Sequence, residues 1–394
     1  MASETPTNDL HRQPIGLAAV PGRALRIAVI GHIRFAVAEP FPGGMEAHCA
    51  SLCRGLALEG HDADLFAAGG SHGVDNDRAI CERPYEDVLP WAEWRGTVQL
   101  EDYQRSAFER AWQAVLQGGY DVVHNNSLFP ELIDWAARDG VPMLTSQHVP
   151  PFGKMREAVL RASGDPLRPV TVTSASQLPL WSERLANMHV VHNGIDTELW
   201  RPATDPPATD RPATDRQAHG PYFWSGRITP NKGTAMALQA AHRAGVAIDL
   251  AGTIEDETYF AREVEPLLDA RRRYVGHLSG ERLRRQTALA RALVVTPAWD
   301  EPFGLVAAEA LSCDVPVIAF DRGALREVVG PCGAIVAAGD VDGLATALRA
   351  PPSLAAGMAR ARAERKFSLA AMIGGYETLY RSAMAAARGM KAVA

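Results

Sequence analysis

Between residues 292 and 318 the chain passes through an apolar, β-branched run (292–295), a break at Pro297, a turn at Phe303-Gly304, an apolar helical run (305–311) and a second strand (316–318). No other stretch constrains the fold as much. A short β-branched run stopped by proline suits a buried strand. A strand-end loop that enters a helix leaves backbone N–H groups unpaired at the positive end of the helix dipole. Such a tip binds anions, phosphate above all. Gly304 permits a tight turn and a close approach of ligand to backbone. Glu301 falls in the loop and Glu309 about one and a half turns inside the helix, so two carboxylates flank a phosphate site. A ligand that is both anionic and rich in hydroxyls, such as a nucleotide sugar, satisfies that combination.

At 394 residues the chain is too long for one ordinary core and suits two domains. Charged residues make up 22% and hydrophobic ones 47%, as in soluble globular proteins, and a net charge of −6 gives no reason to expect nucleic acid as a partner. Arg271-Arg272-Arg273 reads as the solvated end of a helix. The N-terminal residues lack the charged and apolar regions of a signal peptide. No stretch approaches 18 uninterrupted apolar residues, so no integral membrane segment is expected. Cys49, Cys53, Cys81, Cys313 and Cys332 form no paired framework and no CxxC. Reduced thiols in a cytoplasm suit all five, and Cys49 and Cys53, although close to His48, read as helix packing rather than metal ligands.

Residues 1–24 read as a disordered tail. A strand at 25–30 is followed by Pro42-Gly43-Gly44 and a helix at 45–58, and another strand falls at 61–66. A double glycine ahead of a helix lets a ligand reach the backbone. Residues 69–100 carry few periodic signals and read as a variable acceptor-side region. A helix at 101–116 leads to a strand at 120–124 that ends in His124-Asn125-Asn126. After a helix at 132–138, a strand at 142–145 runs out to His148. Both histidines stand at strand C-termini, where open parallel sheets place their ligands. Strands at 170–172 and 188–191 follow, then His192-Asn193-Gly194, where Asn193 suits a left-handed turn.

The motif Pro-Ala-Thr-Asp recurs at 202, 207 and 212. Such a tract buries no core and reads as an interdomain linker over 201–219. In the second half, a strand at 222–225 enters a loop holding Arg227 and Lys232, followed by a helix at 234–244. A guanidinium fork and a compact ammonium on a strand-to-helix loop suit a diphosphate. The Walker phosphate loop is excluded, since G-x4-GK[ST] is absent. Further elements fall at 248–251, 257–270 (a helix), 274–277, 281–290, 334–336, 341–349, 354–365 and 376–387 (a final helix).

The chain from residue 25 onward resembles the retaining glycosyltransferases of family 4. Glu301 and Glu309 match their E-x7-E signature, Gly226 to Gly233 their G-R-x4-K-G element, and Gly43 to Glu46 their GG-x-E segment. His192 to Asp196 resembles PNG-[VI]-D, with histidine in place of proline. The resemblance implies an α/β chain of two Rossmann-like domains facing each other across a cleft, the GT-B architecture. The acceptor-side domain would be 25–200 and the nucleotide-sugar domain 220–366, with 367–394 crossing back onto the first. It implies a catalytic set of His148, Arg227, Lys232 and Glu301. Arg227 and Lys232 would hold the donor diphosphate, Glu309 the ribose and Glu301 the sugar hydroxyls. Gly43, Gly44, Phe303, Gly304 and Leu305 would border the donor, and backbone near Gly276 its base. His124 and Asn125 would touch acceptor or sugar.

The implied reaction moves a sugar from a nucleotide-diphosphate donor, UDP-sugar favoured, to a hydroxyl of a small molecule or glycan precursor. No cofactor is expected: the nucleotide sugar is a substrate, and the two cations stand where a metal otherwise would. A homodimer is compatible with it. Double displacement by the two glutamates, as in retaining glycosidases, requires carboxyls about 5 Å apart. Their spacing in a loop and helix puts them roughly 8–12 Å apart. Rival readings are a sugar-nucleotide 2-epimerase of the same architecture and a non-catalytic nucleotide-sugar binder. A nicotinamide enzyme is disfavoured, because no G-x-G-x-x-G follows the first strand.

Overall fold

The computed structural model describes residues 23–72, 76–181, 185–203 and 220–393. The tail at 1–22 and the proline-rich repeats at 204–219 lie outside the described residues. Two sheets organise the chain. The first holds β1 (Arg26–Ile30), β2 (Asp62–Ala68), β3 (Asp77–Cys81), β4 (Val122–Asn125), β5 (Met143–Gln147), β6 (Val170–Val172) and β7 (Met188–Val190). Its spatial order is β3-β2-β1-β4-β5-β6-β7. The second holds β8 (Tyr222–Ser225), β9 (Ile248–Ala251), β10 (Arg272–Tyr274), β11 (Leu293–Val295), β12 (Val317–Phe320) and β13 (Gly333–Val336), in the order β10-β9-β8-β11-β12-β13.

Every pairing is parallel. The central strands are apolar on both faces, as helix-covered parallel strands must be. In each sheet the strand order reverses once, between β1 and β4 and between β8 and β11. Loops at such a switch point diverge and leave a crevice at the strand C-termini. The loops after β1, β8 and β11 are the ones carrying Gly43-Gly44, Arg227–Lys232 and Glu301.

The helix Gly44–Leu58 buries Cys49, Leu52, Cys53 and Leu56, one stripe at helical spacing. The terminal helix Leu369–Val393 lays Leu369, Met372, Ile373, Tyr376 and Tyr380 on it, in one core with β1 and β2. Burying each of these tyrosines contributes roughly 1.5–3 kcal/mol from its apolar ring. The first sheet is thus finished by the last residues of the chain. The crossing is held where the Ile195 amide donates to the Phe367 carbonyl at 2.7 Å and the Leu369 amide donates to the Ile195 carbonyl at 3.1 Å.

Several local expectations need correction. Residues 69–100 contribute edge strand β3, and a helix at Gly153–Arg161 went unread. The helical run expected over 257–270 ends at Leu267 and is not uniform: an α-helical turn at Glu257–Tyr259 widens to a π turn at Phe260–Val264 and tightens to a 3-10 turn at Glu265–Leu267. Pro266 removes a backbone donor and stops helical continuation. The arginine triplet is not a solvated helix end. Arg272 lies buried in β10, donating to the Asp269 carboxylate and the Ala241 carbonyl, and Arg273 forks onto buried Asp249. Among the described residues other than glycine, only Asp314 has a positive φ, so Asn193 is not left-handed. The turn there is held instead by His192, whose Nε2 meets Glu327 Oε1 of the second lobe at 2.7 Å.

Candidate active site

Between the lobes lies a cleft of about 1350 Å³, lined by the strand-end loops of both sheets. Lys232 closes the turn Pro230–Lys232 at the exit of β8. Its Nζ lies 2.7 Å from Glu301 Oε2 and 5.5 Å from the Trp299 ring centre. Trp299 Nε1 donates to that same carboxylate oxygen at 3.2 Å. Two donors therefore fix Glu301 through Oε2, and a carboxylate held at one oxygen keeps its other lone pairs for a ligand hydroxyl. The Glu301 loop is fastened as well. The Ala324 amide donates to the Glu301 carbonyl at 2.8 Å, and Thr173 and Ser174 of the first lobe donate to the Pro302 carbonyl at 3.0 and 2.7 Å.

The Lys232 turn is pinned to the end of β11. Trp224 Nε1 donates to Thr296 Oγ1 at 3.1 Å, and that hydroxyl donates to the Gly233 carbonyl at 3.0 Å. Gly233 has φ +68°, and a β-carbon there would stand 1.9 Å from the Thr296 carbonyl oxygen. Gly233→Ala is therefore expected to destabilise the protein by about 2–4 kcal/mol, read as a lower melting temperature. An unchanged melting temperature would show that the turn tolerates displacement.

The helix Leu305–Ser312 starts at Gly304, whose φ is +87°. Its first residues, Leu305 and Val306, line the cleft, at the end of the helix where backbone amides lack intrahelical partners. Across the cleft, a β-carbon on Gly44 would lie 3.4 Å from Leu305 Cδ1, so the double glycine directly faces the helix tip. Arg227 lines the same space and touches Glu255 through one atom, Nη1 to Oε2 at 2.6 Å. Glu309 lies deeper on the helix, partly accessible from the cleft. Burial pushes its carboxyl up to about 8, with Arg284 pulling weakly the other way.

His148 also lines the cleft, and its Nε2 meets Asn126 Oδ1 at 2.9 Å. With that oxygen as partner, Nε2 carries the proton and Nδ1 accepts. Burial lowers its pKa to about 4, so the ring is neutral near pH 7. Three expected residues do not reach the cleft. His124 is fully buried, bonded through Nδ1 to the Tyr380 hydroxyl and through Nε2 to Ser146 Oγ at 2.7 Å. Asn125 is fully buried, and its Oδ1 accepts from Ser127. The assignment of both to acceptor or sugar is therefore corrected: they are core residues of the first lobe. Gly276 is not among the lining residues and its carbonyl accepts from the Gly252 amide at 3.1 Å, while the adjoining His277 to Gly280 line the cleft.

Sequence reasoning missed Trp299, Thr296, Glu255, Arg284 and Asn126. Trp299 stood two residues from Glu301 and was findable; the others act across 22 or more positions. Glu46, third residue after Gly43, is buried with its Oε2 over that glycine. Burial raises its carboxyl, against its own amide, Arg227 and Arg34. Among the described residues, no group of three or more His, Cys, Asp or Glu side chains is placed to hold a metal ion, and no helix is long and apolar enough to cross a membrane.

Known structures share this arrangement. The sucrose-phosphate synthase of Thermosynechococcus elongatus superposes with a TM-score of 0.72 at 22% identity, covering 92% of this chain and 100% of that one. HepE of Anabaena, in complex with UDP and glucose, superposes with a TM-score of 0.63 at 18% identity, covering 90% and 99%. Two parallel Rossmann-like sheets facing across a cleft make this a GT-B fold. Residues 42–199 match the model of Glycosyltransferase Family 4, and residues 222–350 that of Glycosyl transferases group 1. The D-inositol 3-phosphate glycosyltransferase of Nocardioides sp. (strain ATCC BAA-499 / JS614) is 30% identical over 361 residues, 78% of this chain and 77% of that protein. The chain belongs to glycosyltransferase family 4 and is a glycosyltransferase.

Proposed function

We propose that the enzyme transfers a hexose from a UDP-sugar to a hydroxyl of a small acceptor, with retention of anomeric configuration. The observation that carries this reading is the Lys232–Glu301 contact of 2.7 Å beside the tip of the Leu305–Ser312 helix, opposite Gly43-Gly44. A diphosphate entering there exchanges Glu301 for itself on Lys232 and Glu255 for itself on Arg227. The helix amides add donors where charge grows on the leaving group. Freed from Lys232, Glu301 accepts hydroxyl protons of the sugar, and Glu309 those of the ribose. Neutral His148 offers Nδ1 to a further sugar hydroxyl. UDP is favoured by the HepE complex, and a small hydroxyl compound by the Nocardioides relative's named acceptor. The buried thiols suit a reducing cytoplasm.

In the step proposed, the bond from the anomeric carbon to the β-phosphate oxygen breaks while the bond to the acceptor oxygen forms on the same face. The acceptor's proton passes to the leaving phosphate. The paired cations meet the demand for positive charge, so no metal is required. Closure of the lobes would exclude water, which otherwise hydrolyses the donor.

A thermal-shift panel of UDP-, GDP- and ADP-sugars tests the donor, with the largest stabilisation expected from UDP-sugars. Nucleotide release is then followed with and without acceptor. Release that rises only when a hydroxyl acceptor is added supports transfer. Equal release without one points to the 2-epimerase chemistry, and binding with no turnover on any acceptor points to a binder.

A further inference from the structure

The charges on the first lobe's side of the cleft bear on the acceptor. Among the described residues lining that side, the arginines and lysines are Arg34 and Arg54. Arg54 Nε lies 2.6 Å from Asp196. Arg34, in the loop after β1, forks onto Glu86, Nε to Oε2 at 2.9 Å and Nη2 to Oε1 at 3.2 Å. The Trp91 amide donates to the same carboxylate at 3.2 Å. Burial would raise Glu86, yet Arg34 and that amide outweigh it and hold the carboxyl below its usual range, so it is ionised.

This pair differs from those on the donor side. Arg227 and Lys232 each touch a carboxylate through one atom, and a diphosphate can take its place. Arg34 is held at two points by a partner that is itself anchored, which commits its fork. His32 and His148 add no charge near neutral pH, since burial lowers both to about 4, for His32 with help from Arg34. Glu39 and Glu46 lie on the same wall, and Glu255 of the facing lobe comes within 4.0 Å of Arg34. Around Arg34, an anion on the acceptor would meet Glu86, Glu39, Glu46 and Glu255, and the guanidinium there is held at two points. Arg54, on the same side, touches Asp196 through one atom.

We propose that Glu86, by cancelling Arg34, makes this enzyme select an acceptor without phosphate or carboxylate, a neutral or amine-bearing polyol. The proposal rests on the transferase reading above, and it separates this chain from the Nocardioides relative, whose name carries a phosphorylated acceptor. Glu86 is a specificity-determining residue, with no part in bond breaking.

The test measures nucleotide release above the acceptor-free background for matched pairs: myo-inositol and inositol 3-phosphate, glucose and glucose 6-phosphate, glucosamine and glucosamine 6-phosphate. The native enzyme should show kcat/KM at least tenfold higher for the unphosphorylated member of any active pair. Glu86→Gln should shrink that ratio at least tenfold, and adding Arg34→Gln should abolish the change. A phosphorylated member preferred by the native enzyme, or a ratio unmoved by Glu86→Gln, overturns the proposal. The same proteins, saturated with UDP, are also titrated with inorganic phosphate against a chloride control. Glu86→Gln should gain a phosphate-dependent thermal shift that the native protein lacks. Equal shifts overturn the proposal. Failure of UDP to stabilise the native protein would refute the donor assignment alone, because the native-to-variant comparison with phosphate still decides this one.

Discussion

Alanine in place of Lys232 should lower kcat/KM for sugar transfer by about 10²–10³, a loss of about 3–4 kcal/mol of transition-state stabilisation. Charge accumulates on the leaving diphosphate as the glycosidic bond breaks, so a cation at that oxygen matters more in the transition state than in the ground state. The fall should therefore appear mainly in kcat. Arg227→Ala should cost less, because Arg227 is 42% exposed against 26% for Lys232 and its charge is more screened by water. Glu301 keeps the Trp299 indole as donor in the Lys232 variant, so folding should survive, which a melting curve would check. Steady-state kinetics decide the assignment, and turnover equal to the native enzyme's in Lys232→Ala would refute it.

Glu309→Gln should stabilise the empty protein at alkaline pH while weakening donor binding. The folded-state pKa of about 8 stands above the ordinary carboxyl value of 4.5. Between those two values the folded chain holds a proton that the unfolded chain has released. Stability therefore falls as pH rises through this window, and the loss is complete above about 8. Each pKa unit is worth about 1.4 kcal/mol, and the accessible edge of the carboxyl reduces the total to on the order of 2–4 kcal/mol. Glutamine cannot ionise, so the variant's gain in melting temperature should be small at pH 5 and largest near pH 9. The same change should weaken UDP binding by a few-fold near pH 7, since the carboxyl is then protonated and a neutral hydrogen bond is worth about 0.5–1.5 kcal/mol. A gain of equal size at pH 5 and pH 9 would show that Glu309 is not the ionising group.

Much of the donor half was readable in order along the chain. The strand before Pro297, the turn at Gly304 and the helix behind it are signalled by residues that are near neighbours, and turn chemistry and apolar periodicity act over such short spans. Lys232 and Glu301 lie 69 positions apart, yet each sits at the exit of a legible strand, and the strand order places both exits side by side. The first lobe was less legible. His124 ends a strand as His148 does, and nothing local tells them apart. His124 is covered because Tyr380, 256 positions away, returns on the terminal helix and takes its Nδ1. The burial of Arg272 was hidden for the same reason, since the Ala241 carbonyl that it meets lies 31 positions away, whereas the end of the helical run after 257 is marked locally by Pro266.

By itself, then, the amino-acid order determined the two α/β halves, the glycine turns and the donor-side cations and carboxylates, because each is written in contacts within a few residues. Tertiary structure alone decided which of these groups remain available to a ligand. Arg34 and Arg227 are both arginines on strand-exit loops, but one is forked onto an anchored Glu86 and the other touches Glu255 at a single atom. That difference arises from packing between distant segments, where distance and burial set the strength of a charge.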